Sequence, residues 1–212
     1  MTANQLADVE YVVRTLAQTA VDKEKEFGDL DAVVGDGDLG YSLARGFEKV
    51  LADWDTLKRD DVATFLQQIA LAISSRIGGT SGPLWGTAFL RSSATAKTLD
   101  VIDGAAAVAM LRAATDGIMA RGNASLGDKT LLDALIPATD ELERQLAAGA
   151  SPAECRDAFT RTARECADAT STLQARRGRA SYSGERSIGS PDAGAVAVAI
   201  IIERITVDWD TR

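Results

Sequence analysis

Apolar residues recur at helical spacing along nearly the whole chain, whereas the strict alternation typical of a half-buried strand is nearly absent. This pattern and its start signals predict eight amphipathic helices, over residues 6–16, 43–54, 62–73, 83–97, 103–118, 130–148, 151–174 and 191–205. The links between them are mostly short, so sequential helices are expected to pack antiparallel. The sequence therefore predicts one all-α domain over residues 1–212, an antiparallel bundle of eight helices.

Local signals mark several of the predicted helix ends. Ser151-Pro152-Ala153-Glu154 has the composition of a capping box with proline at the first helical position. Asp103 is expected to cap the fifth helix, and Pro137 is expected to kink the sixth.

Composition limits the partners and the compartment. With 23 basic and 31 acidic residues the formal net charge is −8, so charge-driven binding to nucleic acid or to an anionic membrane is not expected. The longest apolar run, residues 195–202, is too short to cross a bilayer, and residues 1–5 lack the pattern of a signal peptide. We therefore predict a cytoplasmic protein that binds neither nucleic acid nor membrane.

The chain contains no histidine, which excludes a Ser-His-Asp triad, a histidine base and a histidine-ligated zinc within it. Its two cysteines, Cys155 and Cys166, would lie about 16 Å apart along one helix, too far for a disulfide. Any chemistry must therefore use carboxylates, hydroxyls, Lys, Arg, backbone amides or a bound metal or cofactor.

Residues 31–40 form the first of four polar, glycine-containing connections, and they place Asp31, Asp36 and Asp38 close together. Three adjacent carboxylates repel one another, and a hard divalent cation such as Mg²⁺ removes that penalty. The alternative is a turn in which Asp38 only caps the next helix. Calcium fits less well, because the glutamate at the twelfth position of an EF-hand loop is missing.

Three later connections are also rich in glycine and polar residues. Residues 78–83 offer free amides at a helix start, which suits a phosphate, although the loop is not a Walker A motif and a plain helix cap is the alternative. Residues 122–130 are interpreted as a connector that ends in a helix cap. Residues 178–194, with the two arginines just before them, carry a cluster of arginines that suits phosphate, with a solvated surface loop as the alternative. The arginines are Arg176, Arg177, Arg179 and Arg186.

Helix order predicts that these four connections meet. They precede the second, fourth, sixth and eighth predicted helices, so alternating helices would bring all four to one rim of the bundle. A carboxylate cluster, an amide-lined loop and arginines are the components of a phosphoryl-transfer site.

Four extended motifs, in this order over nearly the whole chain, resemble the L subunit of dihydroxyacetone kinase. The motifs are Asp31-x4-Asp36-x-Asp38, Gly78-Gly79-Thr80-Ser81-Gly82-Pro83-Leu84-Trp85-Gly86-Thr87, Gly127-Asp128-Lys129-Thr130 and residues 178–189. The resemblance implies an eight-helix antiparallel barrel that holds an adenine nucleotide (ADP or ATP) and two Mg²⁺ ions at one rim.

The resemblance also implies roles for particular residues. Asp31, Asp36 and Asp38 would hold the metals and serve as the catalytic residues, and Thr80 and Ser81 would contact phosphate. The residues that would line the nucleotide, these two included, are Leu39, Gly40, Tyr41, Ser42, Thr80, Ser81, Gly122, Leu131, Arg179, Asp192, Ala193 and Gly194.

A kinase of this kind works with a partner. In the family a separate K-type subunit carries dihydroxyacetone bound covalently to its own histidine, and the L subunit presents the phosphoryl group. The donor stays open between exchangeable ATP and a fixed ADP recharged by an M-type protein of the phosphotransferase system. Leu39, Ser42 and residues 189–194 depart from the family pattern, so a larger ketose such as erythrulose is compatible, as is a homo-oligomer.

Two other functions remain open at this point. A non-catalytic nucleotide-sensing subunit that binds a transcription regulator would use the same pocket. An all-α enzyme acting on prenyl diphosphates would also be rich in aspartate, but such enzymes usually need two facing Asp-rich motifs, and only one cluster is evident.

Overall fold

A computed structural model describes residues 3–77, 81–207 and 209–211, and within these ranges the regular structure is helical without any strand. The α-helices are α1 (Ala3–Asp22), α2 (Glu24–Asp31), α3 (Leu39–Ala52), α4 (Val62–Ser74), α5 (Ser81–Ala96), α6 (Gly104–Gly122), α7 (Leu132–Ala147), α8 (Pro152–Ala169) and α9 (Ala193–Val207). The all-α prediction is confirmed, and each of the eight predicted helices is present.

Besides shifts of a few residues at other helix ends, the described helices differ from the prediction at α2 and at the end of α8. The short helix α2 was not predicted, because only one of its side chains, Phe27, is fully buried and it lacks an apolar stripe. Helix α8 ends at Ala169 rather than near Gln174, since residues 170–172 tighten into a 3₁₀ turn. In that turn the Thr172 hydroxyl donates to the Ala169 carbonyl at 2.9 Å, which helps to end the helix.

The predicted helix signals at two N-termini are confirmed. The Asp103 carboxylate accepts a hydrogen bond from the Ala106 N–H at 3.0 Å. Ser151 and Glu154 form a reciprocal capping box, with proline in the first turn of α8. Helix α7 includes Pro137 in its interior and runs from Leu132 to Ala147.

The eight long helices close into a barrel. From α3 onward each helix packs against the next along the chain, and α9 packs against both α8 and α1, which in turn packs against α3. The short helix α2 lies against α3 and α9. Closure of the ring leaves every long helix with two long neighbours, so each can bury an apolar face.

Two buried clusters hold most of this ring together. The larger one joins α1, α3, α4 and α9 and includes the fully buried rings of Phe27, Phe47 and Phe65. The second joins α7, α8 and α9 and is built mostly from alanine and valine. Small side chains at these positions let three helices approach closely, which matters because two of the three begin at the candidate site.

Short connections between packed neighbours make the long helices from α3 to α8 successively antiparallel, so α3, α5 and α7 begin at the same end of the barrel. The contact between Gly194 and Leu131 places the start of α9 at that end too. Contacts join the connections that precede them. The Ser183 hydroxyl donates to the Val34 carbonyl at 2.9 Å, and the Arg176 N–H donates to the Asp128 carbonyl at 3.0 Å. The predicted shared rim is therefore confirmed for the first, third and fourth connections, whereas residues 78–80 of the second lie outside the described residues.

Two further predictions concern the cysteines and membrane-spanning helices. Both cysteines are free thiols, with Cys155 buried and Cys166 half-buried in α8. Among the described helices, none combines the length and the apolar character needed to cross a membrane.

Candidate functional site

Three aspartates come together where α2 ends and α3 begins. One carboxylate oxygen from each of Asp31, Asp36 and Asp38 lies within 4.8 Å of the others. The chain reaches this arrangement through a tight turn in which the Gly35 N–H donates to the Asp31 carbonyl at 2.6 Å. Gly37 then adopts a φ of +77°, a conformation that residues with a side chain rarely adopt.

Close backbone approach also explains the residue types around this cluster. A Cβ at position 35 would overlap with the carboxylate and the carbonyl of Asp31. Gly40 is buried in the first turn of α3, and a Cβ there would overlap with the Glu24 carbonyl of α2. The glycines therefore allow α2, the turn and α3 to hold three carboxylates together.

The charges of the cluster are only partly balanced. The Arg179 guanidinium Nε lies 3.1 Å from the Asp36 carboxylate and supplies a positive charge from the fourth connection. Partial burial and the neighbouring carboxylates of Asp36 and Asp31 raise the pKa of Asp38, while Arg179 opposes that rise. An excess of negative charge thus remains, which a cation could neutralise.

The capping alternative for Asp38 is not supported. Asp38 occupies the N-cap position of α3, but its side chain makes no capping hydrogen bond and its backbone is in the helical region. Its carboxylate instead lies beside those of Asp31 and Asp36 in the acidic cluster. Three adjacent carboxylates that do not serve as caps form a suitable set of oxygen ligands for Mg²⁺.

The residues predicted to line the nucleotide from the first connection form the first turn of α3. Leu39 packs against the larger core, and the half-buried Ser42 donates its N–H to the Asp38 carbonyl at 2.8 Å. Tyr41 is 59% exposed, with the Arg45 guanidinium 5.2 Å from its ring centroid. Tyr41 therefore offers an aromatic face next to the carboxylate cluster.

The predicted residues from the second and third connections lie on neighbouring helices. Ser81 is the first residue of α5, whereas Thr80 lies outside the described residues. Gly122 ends α6, where a Cβ would come within 3.3 Å of the Leu84 side chain of α5. Leu131 immediately precedes α7, and a Cβ at Gly194 would lie 3.3 Å from its Cβ.

The start of α9 brings the last three predicted residues into this group. Asp192 accepts a hydrogen bond from the Ala195 N–H at 2.8 Å and so caps α9, which begins at the buried Ala193 and the half-buried Gly194. Burial raises the pKa of Asp192 to about 7; the negative charges of Asp133 and Asp31 add to that rise, and the Ala195 N–H and Lys129 oppose it. Gly194 approaches Leu131, so the N-terminus of α9 meets the third connection.

Sequence reasoning assigned no role to a group of charged residues beneath the rim. Asp128, Lys129 and Asp133 are all buried in or next to the third connection. In the sequence Lys129 stands within the Gly127-Asp128-Lys129-Thr130 motif, and a single lysine in a polar loop normally indicates an exposed side chain. The left-handed φ of +62° at this lysine is visible only in the structure.

The rim also exposes large apolar side chains. Five of the exposed large hydrophobic residues in the described part of the chain lie on the connections or in the first turn of α3. They are Val33, Tyr41, Leu126, Tyr182 and Ile188, and we call them the rim collar. Tyr182 is 82% exposed. Exposed apolar groups gathered around a polar site are typical of a surface that contacts another macromolecule.

Comparison with protein families gives a match to the family described as the DAK2 domain, over residues 33–207. The chain is 35% identical over 178 residues to the ADP-binding subunit DhaL of the PEP-dependent dihydroxyacetone kinase of Escherichia coli, covering 84% of this chain and 85% of that subunit. It is also 39% identical over 196 residues to the L-erythrulose 1-kinase of Mycolicibacterium smegmatis, covering 92% of this chain but 34% of that enzyme.

Solved structures give the same fold. The dihydroxyacetone kinase of C. freundii in complex with AMP-PNP and Mg²⁺ matches with a TM-score of 0.75 and 25% identity, over 98% of this chain and 34% of that one. The chain thus spans about a third of the full-length kinases that it matches, and most of the length of the separate DhaL subunit.

Proposed function

The chain belongs to the DAK2 domain family, and we propose that it is the nucleotide- and Mg²⁺-binding component of a kinase that phosphorylates dihydroxyacetone or a related ketose. The observation that carries this proposal is the cluster of three carboxylates within 4.8 Å, with Arg179 at its edge. On this proposal the whole of residues 1–212 forms one nucleotide-binding domain of the L type.

Asp31, Asp36 and Asp38 would hold two Mg²⁺ ions. Their chemistry fits, because Mg²⁺ binds through a few carboxylates together with the phosphates of its nucleotide. Bound Mg²⁺ would supply charge neutralisation for the phosphoryl group in transfer. The aspartates would fix the position of that charge, and the tight turn that carries them would keep them in place.

The residues around the cluster would hold ADP or ATP. The first turn of α3 lies next to the carboxylates, and its exposed Tyr41 offers a face for contact. Ser81, at the N-terminus of α5, and Thr80, which precedes it in the sequence, would contact phosphate, because the helix dipole there favours negative charge. Arg179 would add a positive charge from the fourth connection, and the remaining contacts would come from Gly122, Leu131 and residues 192–194.

The base and the sugar substrate would come from a partner. A chain without histidine offers no histidine base of its own, so its work is electrostatic stabilisation and positioning. The rim collar supports docking of a K-type subunit over the site, because its five exposed apolar side chains lie on the connections, or in the first turn of α3, at the end of the barrel that carries the carboxylates. The E. coli relative is named as a PEP-dependent kinase subunit, which supports an M-type phosphoryl donor for this chain as well.

The substrate is proposed only at the level of a small ketose. One relative of similar identity is named for dihydroxyacetone and another for L-erythrulose. If the partner holds the sugar, the partner's pocket determines which ketose is phosphorylated, and this chain does not.

Reconstitution with a K-type partner tests the proposal. The chain, the partner, Mg²⁺ and ATP, or ADP with an M-type donor, should together phosphorylate dihydroxyacetone or erythrulose, and omission of the chain should abolish the reaction. Asp36→Asn should remove most of the activity while the far-UV circular dichroism stays unchanged. Nucleotide binding without phosphoryl transfer under both donor conditions would favour the nucleotide-sensing alternative.

A further inference from the structure

Lys129 is the only basic side chain that is buried in the described part of the molecule, at 2% exposed. Its ammonium group donates to the Leu173 carbonyl at 3.1 Å, to the Ser190 carbonyl at 2.7 Å and to the Ser187 carbonyl. Three donors therefore meet three acceptors, which satisfies the ammonium group completely. Burial lowers the pKa of Lys129, and the nearby Asp192 opposes that shift.

These three carbonyls belong to the two ends of one segment. Leu173 stands where the chain leaves the end of α8, and Ser187 and Ser190 stand where it returns toward α9. Lys129 thus joins the two ends of this segment, Leu173 on one side and Ser187 and Ser190 on the other, which we call the neck. Residues 174–186 form the loop between them. The Gly189 N–H donates to the Ser171 carbonyl at 2.8 Å, and the Ala175 N–H donates to the Ser187 hydroxyl at 2.9 Å, which close the same neck.

The loop that the neck closes reaches the candidate site. It carries Arg179, which pairs with Asp36, and Ser183, which donates to the Val34 carbonyl. Asp192, at the start of α9, follows Ser190 by two residues. Whatever holds the neck therefore also sets the positions of Arg179 and of the α9 N-terminus.

The third connection is itself held firmly enough to act as an anchor. The Asp133 carboxylate of α7 accepts hydrogen bonds from the Gly127 N–H and, at 2.7 Å, from the Thr130 N–H. The Asp128 carboxylate accepts from the Ser125 N–H at 2.9 Å and pairs with Arg177 at 2.8 Å. Lys129 lies between these two buried acids in the sequence, in a left-handed conformation that the surrounding hydrogen bonds maintain.

We propose that Lys129 is a positioning residue for the nucleotide site, which acts by closing the neck of the 174–186 loop so that Arg179 and Asp192 stay at the rim. This inference rests on the proposed function for its link to the nucleotide, whereas the anchoring of the loop stands on the contacts alone. An apolar side chain of similar length would leave three carbonyls without their donor, and the neck would open.

Lys129→Met tests the anchoring without any nucleotide. Limited trypsin digestion, read by mass spectrometry, should cut at Arg176, Arg177, Arg179 or Arg186 at least tenfold faster than in the wild type. The matched control is Phe65→Leu, in the first turn of α4 at the opposite end of the barrel, digested at the same interval below its own Tm. Cleavage in this loop within twofold of that control would overturn the proposal.

Titration with Mg²⁺ and ADP tests the link to the site. Lys129→Met should raise the Kd for ADP at least tenfold, whereas Phe65→Leu should leave it unchanged. In a double-mutant cycle, Lys129→Met should lower the affinity for ADP much less in an Arg179→Ala background, because the contact between Arg179 and Asp36 is already absent there. Additive losses would mean that Lys129 does not act through Arg179, and would overturn this part of the proposal.

Two further results keep the test decisive. If Lys129→Met does not fold, Lys129→Gln replaces it, because the glutamine amide still donates hydrogen bonds. The loop of this variant should be cleaved faster than that of the wild type but less than tenfold faster. A cleavage rate equal to that of the wild type would refute the anchoring. If the wild type binds no ADP, the proposed function fails, and the digestion result still decides whether Lys129 holds the loop.

Discussion

Replacing Asp38 by asparagine should stabilise the metal-free protein while it weakens Mg²⁺-dependent nucleotide binding. The Asp38 carboxylate makes no capping hydrogen bond, so its removal does not destabilise α3. Asparagine is itself a good N-cap residue. The charge that is lost is one that two neighbouring carboxylates oppose. A substitution that improves the fold and damages binding is the expected signature of a functional carboxylate cluster.

The size of the stabilisation follows from the distances in the cluster. Two unit charges at the 4.8 Å limit of the cluster repel by about 0.9 kcal/mol in water. Asp38 therefore experiences about 2 kcal/mol of repulsion from Asp31 and Asp36, and its attraction to Arg179 and solvent screening reduce the net value to about 1 kcal/mol. In a chain of this length that corresponds to a rise in Tm of about 2–4 °C.

Thermal unfolding in EDTA and in Mg²⁺ with ADP measures both effects. Asp38→Asn should have the higher Tm in EDTA and the smaller increase in Tm when Mg²⁺ and ADP are added. Asp29→Asn is the matched control, because Asp29 lies on α2 outside the cluster and forms only an exposed pair with Lys25. A loss of Tm in EDTA for Asp38→Asn that exceeds the change in this control would refute the electrostatic reasoning.

Three further predictions concern other residues. Gly35→Ala should lower both the Tm and the affinity for Mg²⁺ with ADP, since its Cβ would overlap with Asp31; an unchanged affinity in calorimetry would contradict this. Burial raises the pKa of Asp192 from 3.8 to about 7, so the folded state favours the protonated form and this group's stabilisation is lost as pH rises from about 4 to 7. Asp192→Asn should therefore show a flatter dependence of Tm on pH over that range than the wild type. Ser151→Ala should lose about 1 kcal/mol of stability with its capping box and leave ADP affinity unchanged, which urea unfolding and calorimetry can check.

Helical periodicity and the order of the elements predicted most of this fold. The spacing of apolar residues predicts the eight long helices, and their alternation predicts that the polar connections share one rim. Helix α2 was missed because its single buried ring, Phe27, leaves no stripe to detect. The end of α8 was placed too late because Thr170 and Thr172 turn their hydroxyls back to the helix carbonyls, a local choice that periodicity does not register.

The acidic cluster of the candidate site could be predicted, because its three aspartates lie close together in the sequence. The spacing of Asp31, Asp36 and Asp38 indicates a metal site directly, and the structure brings their oxygens together. Lys129 could not be found in this way, because its partners are backbone carbonyls at positions 173, 187 and 190. Such acceptors exist in every residue and leave no pattern in the side chains. The burial of Asp192 was hidden for the same reason, since it depends on how α9 docks against the third connection.

The nucleotide content of the purified chain is the measurement that tests the central claim most directly. The protein is denatured, and the extract is separated by chromatography before and after washing with ATP and Mg²⁺. The account predicts ADP or ATP in near one-to-one ratio with the wild-type chain and much less in Asp36→Asn. ADP that resists exchange would indicate a fixed cofactor, and exchangeable ATP would indicate an ATP-dependent kinase. A wild-type chain that retains no nucleotide under either condition, with or without Mg²⁺, would contradict the account.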